Sequence, residues 1–323
     1  MNIDKIYVAC WKHDVNLAKI CIASIRYWYP NLPIYLIKDE YNGSFSTKDL
    51  EHKWHVAVFE NSTSFNQDGY SFLAPLFQQK KERCLFLDPD IVFVGPVLDK
   101  LEGHSEDFVV NVEYLSQEQF DSDKFTRYYF DYRKMKALDP SYDHLGYAFN
   151  SGQLIGTCGI LEQEEFENFF EISNGRMTKK YPDIIPRARD QALLNYILVK
   201  HERMGKISVG KTVFMKWPKY ENEFISLKEI KDKTITDPFL LHWAGISEFK
   251  YISRMTYSNI LKFYNDYYYS RFKNKKLLKA LDILKLHIIN CQRIFPRVPY
   301  LLNRKWQKFA SLRWSRFSFK VNS

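Results

Sequence analysis

The strongest constraint on the fold is a regular alternation of strand-like and helix-like segments over residues 6–87. Short apolar runs typical of buried strands lie at residues 6–11, 34–37, 55–59 and 84–87. Apolar residues at helical spacing lie between them, at residues 17–25 and 71–81. Strands that alternate with helices form a parallel sheet with helices on both faces and right-handed crossovers. The sequence therefore predicts an α/β fold with a mostly parallel central sheet flanked by helices.

Downstream of this alternation the segments follow in a less regular order. We expect an edge strand at 108–113, a strand at 148–155, helices at 162–173 and 190–199, and a late strand at 239–242. Beyond residue 257 the pattern changes to two amphipathic helix candidates, at 275–291 and 302–317, with Pro296 and Pro299 between them. The predicted organisation is one α/β domain over residues 1–256 and a basic, aromatic-rich helical C-terminal extension over residues 257–323.

Two aspartates interrupt an apolar run in the stretch CLFLDPDIVFVG, residues 84–95. Asp88 and Asp90 follow the fourth predicted strand, and ligands of parallel α/β sheets bind beyond the carboxyl ends of the strands. Buried carboxylates need a partner that offsets their desolvation. Mg²⁺ and Mn²⁺ prefer carboxylate oxygens and fill their other positions with water and substrate phosphates. The pair indicates either a metal-bound diphosphate or a structural turn or cap, and the apolar residues 91–94 are expected to lead the chain away from the site.

The net charge of +9 is concentrated near the carboxyl terminus. Residues 271–323 contain 14 lysine and arginine residues and one acidic residue, whereas residues 1–270 contain 33 against 37 acidic residues. A mildly acidic body with a cationic tail argues against a nucleic-acid-binding domain. Trp306 and Trp314 among basic residues suit the headgroup region of an anionic membrane, where each cation near the surface contributes about 1 kcal/mol. The alternative is a terminal helix pair that packs on the body or on another subunit.

The cysteines and the first residues predict a cytoplasmic location. Five cysteines without a C-x-x-C pair are typical of reduced thiols rather than of disulfides or a zinc site. The stretch MNIDKIYVACWKHD lacks the charged region and the long apolar region of a signal peptide. We also expect no membrane-spanning segment, since no window reaches the ~18 apolar residues that one requires.

Five separated stretches of residues 6–245 form an ordered set: IYVACW, LFLDPDIVF, FNSGQLI, RDQALLN and LLHWAG. In sequence and in order they resemble the GT-A glycosyltransferases, and among them the group similar to glycosyltransferase family 8. The resemblance implies a GT-A (Rossmann-like) fold, a nucleotide-sugar donor, and Mn²⁺ or Mg²⁺ as the cofactor.

The resemblance also implies a metal site. Asp88 and Asp90 match the metal-binding D-x-D of the family, and His242 matches the late histidine that supplies a third protein ligand. His242 ends a predicted apolar strand, where an imidazole needs a partner. Without the resemblance, a satisfied core or capping histidine is the competing interpretation.

The resemblance also implies a donor site, to which all five stretches contribute residues. Asn150 matches a residue at the sugar and acceptor site, while Asp190 and Gln191 match the start of the D-Q-D-x-x-N signature that contacts the donor sugar. Gly152 would let the backbone approach a ligand closely. The nucleotide base and diphosphate are assigned to Ala9, Cys10, Trp11 and Gly245, to Lys250 beyond the last stretch, and to Asp88 and Asp90.

Several positions depart from the family pattern. The second aspartate of D-Q-D is Ala192. Trp11 stands where the family has a polar residue, and its ring is a candidate to stack on the base instead. Phe72 occupies the place of a basic residue that commonly precedes the D-x-D, with Lys80, Lys81 and Arg83 as candidate replacements. The diphosphate-binding lysine expected six residues after His242 is Glu248, and Lys250 lies two residues later.

The expected function is transfer of a hexosyl-type sugar, from a UDP-sugar by preference, to a hydroxyl of a glycan or lipid-linked acceptor, with retention. If residues 271–323 hold the protein on the inner face of the cell membrane, a lipid-linked acceptor lies on the same surface. We therefore expect a role in surface polysaccharide, lipopolysaccharide or capsule synthesis. One alternative is a GT-A-like protein that binds a nucleotide or glycan without catalysis, supported by Ala192 and Glu248. Another is a haloacid dehalogenase-like phosphatase, but that motif normally opens the first strand and needs a later Gly-Asp pair that is absent from the sequence.

Overall fold

The computed structural model describes residues 3–41, 43–65, 70–173, 176–187, 190–218, 225–245 and 251–294. The chain divides into two compact units, Met1–Arg271 and Phe272–Ser323. The strands are β1 (Lys5–Trp11), β2 (Ile34–Asp39), β3 (Val56–Val58), β4 (Arg83–Leu87), β5 (Ile91–Val94), β6 (Phe108–Tyr114), β7 (Tyr147–Thr157), β8 (Phe170–Ser173), β9 (Arg176–Lys179), β10 (Val209–Thr212), β11 (Met215–Lys216) and β12 (Phe239–His242).

The α-helices connect and cover these strands, and two 3-10 helices lie at Ser71–Phe77 and Ile252–Arg254. The α-helices are α1 (Val15–Trp28), α2 (Lys48–Trp54), α3 (Val97–Lys100), α4 (Gln117–Phe120), α5 (Asp123–Tyr128), α6 (Tyr132–Leu138), α7 (Gln163–Glu167), α8 (Asp190–Arg203), α9 (Leu227–Asp232), α10 (Ser258–Ser270) and α11 (Lys275–Ile294).

A seven-stranded sheet with strand order β10-β6-β7-β4-β1-β2-β3 forms the centre of the first unit. β1 pairs in parallel with β2 and β4, as do β2 with β3 and β6 with β10. β7 runs antiparallel to both of its neighbours, β4 and β6. The predicted mostly parallel sheet is therefore confirmed. Because β7 runs in the opposite sense, its amino-terminal half lies at the same sheet edge as the carboxyl ends of β1, β4 and β6.

The central strands are apolar because both faces of the sheet are covered. Residues Cys84–Leu87 of β4 are fully buried, and their side chains alternate between two cores. Phe86 contributes to the core that includes α8, whereas α1 packs against β1 and β5 with Ile20, Ile22 and Ile25 buried. Each such side chain contributes about 1.5–3 kcal/mol on burial.

A second, three-stranded sheet with order β11-β12-β5 begins directly after the two aspartates. β5 pairs antiparallel with β12, and the register runs from Phe239 opposite Val94 to His242 opposite Ile91. The four residues of β5 are buried, which explains their apolar pattern. β5 therefore connects the carboxyl edge of the central sheet to the last strand of the fold.

The segment between β6 and β7 folds into three short helices with an aromatic core. Each helix begins at a side-chain cap, with Ser116, Ser122 and Asp131 accepting hydrogen bonds from backbone N–H groups three residues later. Phe120, Phe125 and Phe130 are buried between these helices. The segment is anchored to α8, because Asp139 at the end of α6 accepts hydrogen bonds from Tyr196 and Lys200.

Three of the predicted elements differ in the structure. β6 is an interior strand, because β10 pairs on its outer side. The helix predicted at 71–81 is a 3-10 helix over Ser71–Phe77 with Pro75 inside it, a residue that cannot donate to an α-helical ladder. The helix predicted at 162–173 stops at Glu167, because Phe170–Ser173 pairs with β9 instead.

Helix α11 is the described part of the second unit and confirms the helix predicted at 275–291. Its apolar residues Leu277, Leu281, Leu284 and Ile288 recur at helical spacing and are exposed. The candidate helix at 302–317 lies outside the described residues. Among the helices of the described segments, none combines the length and the apolar character that crossing a bilayer requires.

Candidate metal centre and active site

Asp88 and Asp90 lie at the carboxyl edge of the central sheet, directly beyond β4. β4 is held between β1 and β7, and the backbone N–H of Asp88 donates to the carbonyl of Gly152 on β7 at 2.7 Å. This hydrogen bond extends the β4/β7 ladder by one residue and fixes the direction in which the chain leaves the sheet. Both aspartates therefore stand on the rim where ligands of parallel sheets bind.

The pairing of β5 with β12 brings His242 to the same place. His242 lies opposite Ile91, the residue after Asp90, and the N–H of Trp243 donates to the carbonyl of Asp90 at 3.1 Å. His242 Nε2 is 3.1 Å from Asp90 Oδ1 and 3.7 Å from Asp88 Oδ2. One ligand atom from each of the three side chains lies within 4.8 Å of the others. Residues more than 150 positions apart in the chain thus share one small volume.

The electrostatics of this cluster are unfavourable without a further cation. His242 is fully buried, whereas 17% of the Asp90 side chain and 40% of the Asp88 side chain are exposed. Although part of the Asp88 side chain is exposed, the surrounding protein desolvates its carboxylate, and this desolvation, followed by the charge of Asp90, raises the pKa of Asp88 above its ordinary range. Burial opposes protonation of His242, but the negative charges of Asp90 and, to a smaller extent, of Asp88 raise its pKa. Desolvation therefore works against the charged forms of both Asp88 and His242.

The arrangement of donor atoms fits Mn²⁺ or Mg²⁺. Asp90 Oδ1 and His242 Nε2 are both buried and lie 3.1 Å from each other, and neither atom makes a hydrogen bond of good geometry. Orphaned buried polar atoms are rare in folded proteins. The other ring nitrogen, Nδ1, is 3.1 Å from Oε1 of Gln153, so it carries the proton and leaves the Nε2 lone pair directed at the aspartates. Two carboxylates and one neutral imidazole are a donor set that binds Mn²⁺, and the carboxylates suit Mg²⁺.

Gly152 leaves the space that this cluster needs. A Cβ atom on Gly152 would clash with Asp88 Oδ2, and it would lie 2.6 Å from Cε1 of His242 and 2.9 Å from Oδ1 of Asn150. The close approach that the sequence suggested at Gly152 is therefore an approach to the proposed metal ligands.

The three residues predicted to handle the donor sugar lie together beside the metal cluster. Asn150 Nδ2 donates to Oε1 of Gln191 at 2.7 Å, and the same oxygen accepts the N–H of Ser151 at 3.2 Å. Ser151 Oγ donates to Oδ2 of Asp190 at 2.8 Å. The Gln191 Nε2 group donates to the carbonyl of Tyr128 at the end of α5. The amino-terminal turn of α8 is thus tied to β7 and to the segment between β6 and β7.

Asn195 explains how α8 is held against β7. Its Oδ1 accepts the N–H of Phe149, and its Nδ2 donates to the carbonyls of Phe149 and Gln191. Asn195 is buried and pairs with the Phe149 backbone as a neighbouring strand would. It matches the asparagine of D-Q-D-x-x-N, but its role was not foreseen from the sequence.

Two further residues of the site were missed by sequence reasoning. Gln153 is a fully buried amide in β7 that contacts His242, and Trp217 stacks on the His242 ring with centroids 5.0 Å apart at 26°. The polar residues Asn150, Ser151 and Gln153 in a buried strand are a signal for a site at β7, but they do not show that the Gln153 amide contacts His242. Trp217 carries no comparable signal, because its position depends on the chain path after β11.

The residues assigned to the nucleotide lie at the end of β1. Val8 pairs with Leu87, so Ala9 is level with Asp88, and Trp11 pairs with Asp39 on β2. Cys10 is buried, which raises the pKa of its thiol. Trp11 is half-buried and contacts the edge of the His13 ring, with centroids 4.5 Å apart. These residues therefore stand on the same rim as the aspartates.

The structure places most of the residues that depart from the family pattern, and none of the described cations among them lies beside Asp88. Phe72 is a core residue that packs against Phe86, and Arg83 lies at the amino end of β4, the end opposite Asp88. Lys80 and Lys81 precede that same end and are exposed, so none of these three cations replaces the missing basic residue. Gly245 follows His242 by three residues in a turn with φ +69°, a conformation that favours glycine. Lys250 and Glu248 lie outside the described residues.

Comparison with known proteins shows similarity of fold but not of sequence. No protein-family model and no curated protein sequence matches the chain. The galactosyltransferase LgtC, solved with donor and acceptor sugar analogs, superposes with a TM-score of 0.50 at 11% identity, over 82% of this chain and 95% of that chain.

Two other solved glycosyltransferase structures align with this chain over a similar fraction of its length. The bifunctional glycosyltransferase WbbM has a TM-score of 0.49 at 11% identity over 81% of this chain and 49% of its own. The glycosyltransferase GlyE of Streptococcus pneumoniae TIGR4 has a TM-score of 0.48 at 14% identity over 81% of this chain and 60% of its own. The chain thus spans about half the length of WbbM. The likeness to LgtC, together with the strand order, shows that the first unit has the GT-A fold.

Proposed function

We propose that this protein is a metal-dependent glycosyltransferase that moves a hexosyl-type sugar from a nucleotide-sugar, preferably a UDP-sugar, to a hydroxyl group of a glycan or lipid-linked acceptor. The observation that carries the proposal is the convergence of Asp88, Asp90 and His242 at the ligand rim of a GT-A sheet. LgtC, which shares the fold, was solved with donor and acceptor sugar analogs.

In this proposal Asp88, Asp90 and His242 would hold Mn²⁺ or Mg²⁺. When bound, the cation acts as a Lewis acid for the negative charge of the departing diphosphate, so no general acid is required. Asp88 and Asp90 contribute oxygens and His242 contributes Nε2, the atom left without a hydrogen-bond partner. Gly152 keeps the space around these ligands open.

Asn150, Asp190 and Gln191 would orient the donor sugar. The Gln191 amide makes three hydrogen bonds, to Asn150, Ser151 and Tyr128, which fix the plane of its side chain. A fixed amide favours the transition state because it does not need to reorganise during the reaction. We propose retention at the anomeric carbon, with Asp190 orienting the sugar or accepting the proton of the acceptor hydroxyl.

The decisive experiment is a donor screen with and without metal. Wild-type protein is expected to hydrolyse at least one member of a UDP-sugar panel with Mn²⁺ and not with EDTA, and Asp90→Asn is expected to lose this activity by a factor of about 10²–10³. Asp183→Asn is the matched control, because Asp183 is an exposed carboxylate paired with Lys134.

Two other outcomes would point to the alternatives. Mn²⁺-dependent UDP binding without turnover would indicate the non-catalytic protein. Ala192, one of the two residues that favour the non-catalytic protein, gives it little support, because its side chain packs in the hydrophobic core and does not leave an opening in the site. Metal-dependent phosphate release from phosphomonoesters would instead indicate the phosphatase.

We further propose that the protein works on the inner face of the cell membrane in surface polysaccharide, lipopolysaccharide or capsule synthesis. The support is the net charge of residues 271–323 and the exposed apolar face of α11. The protein should sediment with vesicles containing anionic lipid and not with phosphatidylcholine vesicles. Leu281→Glu, on the apolar face, should weaken this binding, and equal sedimentation with both vesicle types would contradict the membrane role.

A further inference from the structure

Gln153 is a buried amide whose two polar groups both point into the active site. It lies in β7 and none of its surface is exposed. Oε1 is 3.1 Å from Nδ1 of His242, and Nε2 is 3.4 Å from the carbonyl oxygen of Asn150. The contact with Asn150 orients the amide, so that its oxygen and not its nitrogen faces the imidazole.

The orientation of this amide determines what His242 can offer to a cation. An imidazole coordinates a metal only through a nitrogen that carries no proton. Since Oε1 is an acceptor only, the proton of a neutral His242 stays on Nδ1, and Nε2 presents its lone pair to the volume shared with Asp88 and Asp90. Without the acceptor, Nδ1 would be a buried donor with no partner, and the Nε2–H tautomer paired with Asp90 would be favoured.

We propose that Gln153 is a positioning residue that fixes the tautomer and ring orientation of His242 and thereby sets the affinity of the centre for Mn²⁺. The inference rests on the metal site of the proposed function. In other metal sites a carboxylate or a backbone carbonyl accepts the N–H of the metal-binding histidine, and here the Gln153 side chain has this role. Trp217 restrains the ring only through its face and supplies no acceptor for Nδ1, so it cannot replace the amide.

The test compares variants of Gln153 that differ in hydrogen bonding but little in size. Gln153→Met removes the acceptor and keeps the length of the side chain, whereas Gln153→Glu keeps an acceptor oxygen at the same position. Gln78→Met is the matched control, because Gln78 is a half-buried amide that donates to the hydroxyl of Tyr7 and does not contact the metal cluster. Free Mn²⁺ is measured by electron paramagnetic resonance during titration of each full-length protein, and His242→Ala defines complete loss of the imidazole.

We expect Gln153→Met to bind Mn²⁺ about 10–100-fold more weakly than wild type, with wild-type affinity or better in Gln153→Glu and unchanged affinity in Gln78→Met. Pulsed electron paramagnetic resonance of bound Mn²⁺ adds a second readout: the signal of a directly coordinated imidazole nitrogen should be strong in wild type and Gln153→Glu and weak in Gln153→Met. A role limited to packing would leave that signal unchanged at saturating Mn²⁺.

The possible results separate this inference from the proposed function. Wild-type binding in Gln153→Met, together with loss in His242→Ala, overturns the role of Gln153 alone. Absence of Mn²⁺ binding in wild type overturns both. If thermal unfolding shows that Gln153→Met does not fold, Gln153→Asn replaces it, because its amide is one methylene too short to reach Nδ1.

Discussion

Gly152→Ala should abolish metal binding while leaving the fold intact. Gly152 has no positive φ, so alanine can adopt its backbone conformation. The added methyl group, however, occupies the place where Asp88 Oδ2, His242 Cε1 and Asn150 Oδ1 meet. Gly152 itself cannot withdraw, because its carbonyl accepts the N–H of Asp88 in the extension of the β4/β7 ladder.

The displacement that alanine forces is larger than a metal site tolerates. His242 Cε1 lies 2.6 Å from the position of the new Cβ, whereas ordinary contact begins at 3.4 Å, so the two atoms must separate by about 0.8 Å. His242 is buried between Gln153 and Trp217 and has little room to move. Metal–ligand distances hold to about ±0.2 Å, so this shift breaks the coordination, whereas overpacking of this kind costs the fold about 1–3 kcal/mol.

The measurements are Mn²⁺ affinity by paramagnetic resonance titration and stability by urea unfolding. We expect Gly152→Ala to lose at least about 100-fold in Mn²⁺ affinity and to remain folded. Gly103→Ala is the control, because nothing lies within 4 Å of a Cβ built there. Mn²⁺ affinity in Gly152→Ala within a factor of about two of wild type would refute the geometry of the proposed site.

Two further predictions concern how the donor-sugar residues are held. Asn195→Ala leaves the buried N–H and the buried carbonyl of Phe149 without partners, so we expect a loss of about 1–3 kcal/mol in the free energy of unfolding for each group. The loss is measured by urea unfolding, with Asn168→Ala at an exposed position as the control. A loss below about 0.5 kcal/mol would contradict this role of Asn195. Burial would raise the pKa of Asp139, but hydrogen bonds from Lys200, Ser141 and Tyr196 hold this pKa below its ordinary range. The charged Asp139 therefore stabilises the folded protein at pH values above the ordinary pKa, and this contribution is lost as the pH falls through the pKa of the folded state. Asp139→Asn should therefore lower the free energy of unfolding by about 1.5–3 kcal/mol at neutral pH, and it should reduce the further loss of stability below about pH 4. Urea unfolding across this pH range is the measurement, and a constant difference between variant and wild type at every pH would contradict the role of the Asp139 charge.

The elements that the sequence predicted best are those whose signal is local. β1, β4 and β12 are short apolar runs, and the last of them, Phe239–His242, was predicted with its observed bounds. Such runs identify strands because a strand buried on both faces carries apolar residues in succession. The aspartates beyond β4 could be placed on the ligand rim for the same reason, since the rim follows from parallel topology alone.

What could not be predicted is the pairing between distant segments. The apolar residues Ile91–Val94 were expected to lead the chain away from the site, but they form β5 and pair with β12. Strand pairing over such a sequence separation leaves no periodic mark in either segment. For the same reason β10 could not be seen to cover the outer side of β6.

The hydrogen bonds that support the site were also invisible in the sequence. Gln153 lies in a strand that also carries Asn150 and Ser151, and Asn195 lies between apolar residues of a helix, so the sequence does not show which atoms these two amides contact. Their function depends on the atom that each amide faces in the folded protein. His242 faces Gln153, and the backbone of Phe149 faces Asn195.

The antiparallel pairing of β5 and β12 accounts for the two aspartates that interrupt the apolar run of residues 84–95. Two carboxylates beside a fully buried imidazole raise the free energy of the metal-free protein, because burial penalises each charge and no hydrogen bond reaches Asp90 Oδ1 or His242 Nε2. A fold that only needed a turn after β4 would not retain this arrangement. A divalent cation resolves both defects at once, since it neutralises the carboxylates and occupies the Nε2 lone pair. Local departures from good packing and hydrogen bonding are expected where a protein binds a ligand, and here they coincide at the one sheet edge that topology reserves for ligands.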